Sequence, residues 1–108
     1  MKLNIYEKKN VVKTYTAESY DLLWGVLEDV ANAVKIDELK TGSEAEIMRM
    51  VVNLVLHSMG TVKELMKDIF DGLTDEDLKK TKVSEIAQVL VDVVIYTVSK
   101  LKNFNSKN

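Results

Sequence analysis

The chain has no cysteine and no proline, and its 108 residues include only four glycines, one histidine and one tryptophan. Without thiols there can be no disulfide framework, thiolate metal site or thiol nucleophile, and a cytosolic setting is the natural expectation. Without proline, helices joined by short turns can run uninterrupted. The few glycines form no glycine-rich phosphate loop, and His57 has no second histidine or cysteine with which to complete a transition-metal site. No apolar run reaches the roughly 18 residues of a membrane span, because Asp92 divides the longest candidate. Met1-Lys2-Leu3-Asn4-Ile5-Tyr6 turns polar at once and lacks the apolar stretch of a secretory signal. A net charge of −2 gives no general attraction to nucleic acid or to an acidic membrane surface. Partners are therefore expected to be recognised by shape and apolar contact.

A composition of 46% hydrophobic and 30% charged residues suits one globular domain. The pattern places that domain over residues 1–102 and leaves 103–108 as a flexible polar tail. Leu3 and Ile5 alternate with Lys2 and Asn4, and Val11, Val12, Thr14 and Tyr15 form a second β-favouring stretch. Together they predict a hairpin over about 2–16, with Asn10 as the candidate for a left-handed turn conformation.

The rest reads as helix. Thr16 or Ser19 can cap a helix whose stripe is Tyr20, Leu23, Trp24, Leu27, Val30, Ala31 and Val34. Trp24, lying on that stripe, is expected to be a core anchor. Ser43 with Glu46 makes a capping box ahead of Ile47, Met50, Val51, Leu54 and Val55. Thr61 with Glu64 makes a second, so Met59-Gly60 is read as a break or kink between two segments. Thr74 to Leu78 is a short capped turn with acids at its positive end, and Ser84 is the candidate cap of a long last helix. The expected fold class is mainly α: a small helical bundle with an N-terminal β-hairpin.

The last helix is the most unusual part. Ile86, Ala87, Leu90, Val93, Val94, Thr97, Val98 and Leu101 make one continuous face, and Val89, Val91 and Ile95 fall off it. Two readings stand open. Those three residues touch another protein, each contributing roughly 1.5–3 kcal/mol when covered, or the helix is central and surrounded by its own fold. Methionines cluster in the middle third, and Met48 and Val52 lie off the main stripe, which makes them further interface candidates.

No arrangement of residues points to catalysis. Glu28 with Asp29, and Asp75-Glu76-Asp77, are adjacent in helices, where neighbours do not share a face. The serines have no nucleophile-elbow context, so neither an enzyme nor a cofactor is expected. Glu85 to Leu101 superficially suggests a DNA-reading helix-turn-helix. Val91 occupies the turn position that glycine usually takes, and the segment holds no arginine to read guanine.

Met1-Lys2-Leu3-Asn4-Ile5, Lys13-Thr14-Tyr15 leading into Tyr20-Asp21-Leu22, the Glu28-Asp29 pair, Gly72-Leu73-Thr74-Asp75-Glu76-Asp77-Leu78 and the apolar last helix follow one another in a distinctive order. In this layout the chain resembles tail assembly chaperones of long-tailed phages and prophages of Gram-positive bacteria, over nearly its whole length. The resemblance implies a non-enzymatic protein of the host cytoplasm, absent from the mature virion. Its implied partners are the tape measure protein, which it would solubilise, the tail tube protein, and further copies of itself as a homo-oligomer. A small DNA-binding regulator and a structural tail or connector component are the alternatives.

Overall fold

The computed structural model describes residues 1–105, and the side chains of residues 1–100. Strands β1 (Lys2–Glu7) and β2 (Asn10–Thr16) pair antiparallel, with Leu3 opposite Tyr15 and Ile5 opposite Lys13. The register shifts between Ile5 and Tyr6, which leaves Val12 as the extra residue of a bulge. The left-handed turn residue is Lys8, with φ 58°, rather than Asn10, which already belongs to β2. Met1 closes the open end of the hairpin: its ammonium group donates to the Ala17 carbonyl at 2.7 Å and its own carbonyl accepts from Ala17 N–H at 3.0 Å.

Five α-helices follow: α1 (Trp24–Val34), α2 (Glu44–His57), α3 (Met59–Ile69), α4 (Asp75–Leu78) and α5 (Val83–Asn105). The architecture is thus mainly α with an N-terminal β-hairpin, as the hydrophobic patterning implied. α5 is the axis, packed by α1, α2 and β1. Val89, Leu90, Val91, Val93 and Val94 are all 2% exposed or less. Of the two readings of this helix, the central one therefore holds for Val89 and Val91, which are corrected from interface candidates to core residues. The reason is geometric: with neighbours on three sides, the wrapped arc of α5 is wider than the single stripe of a surface helix. Because Val91 and Val93 sit inside one unbroken helix, the segment also contains no turn for a helix-turn-helix.

Four boundaries differ from the sequence reading. The chain enters α1 through a 3₁₀ turn at Ser19–Asp21 and extended Leu22 and Leu23, and Leu23 offers no side-chain cap. That entry takes Tyr20 and Leu23 out of the 3.6-residue phase, and they are 73% and 76% exposed. Trp24 keeps the phase of α1 but, as its first residue, is 63% exposed, while Val30 and Val34 point inward as expected. Trp24 is not a core anchor. The second difference is that α2 and α3 part at Ser58, whose φ and ψ are −141° and 53°, so Thr61 and Glu64 lie inside α3 and form no capping box. Ser84 likewise falls inside the first turn of α5. The helix continues to Asn105, past the start of the expected tail, and the last three tail residues lie outside the described residues.

The Ser43 half of the box forms, but the Glu46 half does not close on Ser43, whose N–H donates to Thr41 Oγ1 at 3.2 Å; Glu46 reaches further back instead. Ser43 Oγ accepts from Glu46 N–H, and the Glu46 carboxylate accepts from the N–H groups of Lys40, Thr41 and Gly42 at 2.8–2.9 Å. These donors, Lys40 first, hold the Glu46 pKa down to about 2 from an ordinary 4.5.

The hairpin is fastened to the helices by polar contacts around its inward face. Tyr15 donates to Asp77 Oδ2 at 2.5 Å, and Tyr6 donates to the Glu85 carboxylate, which also accepts from Asn4 N–H at 3.1 Å. Tyr6 N–H donates to the Lys80 carbonyl at 2.8 Å, and the Lys82 ammonium sits 4.5 Å above the Tyr6 ring. The Tyr15 hydroxyl and then Lys13 hold the Asp77 carboxyl below its usual range.

Val91→Asp should cost about 4 kcal/mol or more, since it buries an unpaired charge, whereas Ile95→Asp at a 36% exposed position should cost far less; chemical denaturation of both variants checks this. Because Glu46 has a depressed folded-state pKa, its stabilisation is fully present above about 4.5 and lost as pH falls toward about 2. Glu46→Gln should flatten the urea midpoint against pH within that window.

Candidate protein-interaction surface

Three of the five interface candidates reach the surface. Met48 and Ile95 are each 36% exposed and Val52 is 42% exposed. Met48 and Val52 belong to α2, where they are one turn apart. Leu56 stands one further turn along, and Met59 follows at the start of α3; these two are 69% and 68% exposed. The spacing of 48, 52 and 56 is i, i+4, i+8, so the side chains form a ribbon down one flank of the helix. The opposite flank of α2, with Ile47, Val51 and Leu54, is buried against the core. The i+4 repeat was visible in the sequence, and Leu56 was missed because it adjoins the stripe residues Leu54, which is buried, and Val55, which is half-buried. Ile95 stands apart on the outward edge of α5, on the side that also carries exposed Gln88 and half-buried Asp92. Gln88 Nε2 donates to Asp92 there at 3.0 Å.

The ribbon leads into a groove of about 200 Å³ between the α2–α3 junction, α4 and the start of α5. Its apolar walls are Val55, Met59, Val62, Leu78, Val83 and Ile86, and Val83 is 63% exposed. The volume is below that of a typical small-molecule site and suits inserted side chains. Lys63, Lys79 and Asp75 stand at the rim. Asp75 is engaged by Lys67 at 2.6 Å and by Lys63 at 3.8 Å, and the hydrogen bond from Lys67 is the main reason its pKa is lowered.

A second apolar patch lies where the chain enters α1. Tyr20, Leu23 and Trp24 project from this turn, and a shallow cleft beside Trp24 runs between Leu27 and Ala31 of α1 and Thr97 and Lys100 of α5. Thr97 is buried, and its hydroxyl donates to the Val93 carbonyl at 2.7 Å, so it offers the cleft no free polar group. Tyr20 is exposed because it belongs to the 3₁₀ turn and Trp24 because it begins α1, and stripe periodicity alone does not reveal where the helix starts.

His57 ends α2 as an exposed residue beside a depression shared with Glu38 and Asn53. Among the described residues, no three histidine or acidic side chains converge to hold a metal, and no helix is long and apolar enough to cross a membrane.

Replacing Met48, Val52 and Leu56 together by serine should change stability by no more than about 0.5 kcal/mol per site while markedly lowering binding of a hydrophobic fluorescent dye. A large drop in the melting temperature would place these side chains in the core instead.

Compared with known proteins, the chain matches no family model, no curated protein and no solved structure.

Proposed function

We propose that this chain is a non-enzymatic tail assembly chaperone of a phage or prophage, which shields an elongated, aggregation-prone tape measure protein and helps bring tail tube subunits to it. It acts in the host cytoplasm and leaves before the particle is complete. The observation that carries the reading is the ribbon of Met48, Val52, Leu56 and Met59, four large apolar side chains left in solvent on a well-packed fold. The order of sequence features shared with that family supports the same conclusion.

The chemistry of such a task fits the surface. A holding chaperone needs apolar area that is favourable to cover, and each side chain fully covered contributes roughly 1.5–3 kcal/mol before the cost of association. Methionine adapts its shape to irregular partners, which suits a ribbon that must accept many segments of one long client. Weak individual contacts become strong when many copies line the same client. Self-association of the chaperone would place those copies side by side.

Co-expression with the tape measure protein tests this. The wild-type chain should keep the client soluble and co-purify with it, and a Met48→Asp, Val52→Asp, Leu56→Asp variant should lose both while remaining folded. Insoluble client beside abundant wild-type chain, salt-sensitive DNA binding, or presence of the chain in purified virions would overturn the reading.

A further inference from the structure

The two apolar patches differ in shape and in rim charge. At the entry to α1 the apolar groups protrude: Leu23 and Trp24 are 76% and 63% exposed. Exposed Glu18, Asp21 and Glu28 accompany them, and among the described residues that line the adjoining cleft the one ammonium group is that of Lys100. The groove near the start of α5 is concave. Its rim carries Lys63 and Lys79, and the carboxylate among its lining residues, Asp75, is held by Lys67 at 2.6 Å and more loosely by Lys63 at 3.8 Å, which leaves a net positive rim. One surface is an acid-rimmed knob and the other a lysine-rimmed hole.

They also sit toward opposite ends of the same helix. The groove uses Val83 and Ile86 of α5, and the cleft beside the knob uses Thr97 and Lys100. The eleven residues from Ile86 to Thr97 correspond to about 16 Å of helix, so a single rigid chain does not join its own knob to its own groove.

We propose that Leu23 and Trp24 of one copy insert into the Val55, Met59, Val83 and Ile86 groove of a second copy, with Glu18, Asp21 or Glu28 of the first facing Lys63 and Lys79 of the second. This deepens the self-association in the proposed function and rests on that part of it, without requiring the client. The contact joins unlike surfaces, so each copy keeps one free knob or one free groove and the assembly grows head to tail into a ring or filament. Tyr20, Leu23 and Trp24 together present on the order of 400 Å², about half of what each partner contributes to a stable interface of ordinary size. The charged rims supply the polar surround that such an apolar centre normally has.

The test uses the full chain and two single variants at exposed positions, Trp24→Glu in the knob and Val83→Glu in the groove, with circular dichroism to confirm retained helix. Wild type should form species larger than a dimer in sedimentation velocity, and each variant alone should associate about 10-fold more weakly or worse. Mixed, the variants should form a one-to-one dimer that grows no further, because each supplies the surface the other retains. Native mass spectrometry resolves that pairing through the mass difference between the variants. If either variant loses helix, Leu23→Ser and Val83→Ser, neither of them in the client ribbon, replace the pair with the same expected outcome. A monomeric wild type, a variant that assembles like wild type, or a mixture that stays monomeric overturns the inference. Client capture by the same proteins is read separately: capture by a monomeric wild type defeats the head-to-tail assembly alone, and failed capture by an assembled wild type defeats the chaperone reading alone.

Discussion

Within six residues α5 carries Val89, Leu90, Val91, Val93 and Val94, and at 100° per residue these side chains spread over about 200° of the helix, more than half of its circumference. Leaving any of them in water would forgo roughly 1.5–3 kcal/mol, a sizeable share of the net stability of a domain this small. The remaining elements are arranged to prevent that. α1 and α2 pack along α5 and β1 closes a third side, so all five side chains are buried. The hairpin, which would be marginal by itself, is stable because it forms one wall of this enclosure.

Leu3, Ile5, Val30, Val34 and Val51, on the elements that wrap α5, are buried, and so is Met66 of α3, a helix that packs on α1 and α2. Apart from Val11 and Val12 on β2 and Ile95 on α5, the large apolar residues that remain exposed fall on the far flank of α2, at the entry to α1 and around the groove at the start of α5. They are grouped rather than scattered, and grouped exposed apolar side chains are what distinguishes an interaction surface from the ordinary apolar content of a protein exterior.

Much of the architecture was legible in the residues. Period-two alternation marked β1, a run of β-favouring residues marked β2, and Ser43 with Glu46 marked the start of α2. What misled was the assumption that one stripe is one face. For α5, Val89 and Val91 look surplus only if the helix has a single apolar side, and sequence periodicity does not say how many neighbours a helix has. For α1, Tyr20 and Leu23 continue the stripe on paper, but they belong to the 3₁₀ turn and extended residues ahead of the helix, and Trp24, in phase, is exposed as the first residue of α1. Met48 and Val52 were legible for the opposite reason: they lie off a stripe whose burial on one side is real.

The anchoring of the hairpin bears on how the chain is made. β1 leaves the ribosome before the groups that hold it, the Lys80 carbonyl and the Glu85 carboxylate, which are separated from it by some 80 residues. At synthesis rates of about 5–20 residues per second the two strands wait on the order of 4–16 s for their wall to exist. The helix that organises the interior is translated after every element that packs on it. Folding of this domain is therefore a late event in its biosynthesis, and a chain cut short before α5 would leave its amino-terminal half without a centre to collapse upon.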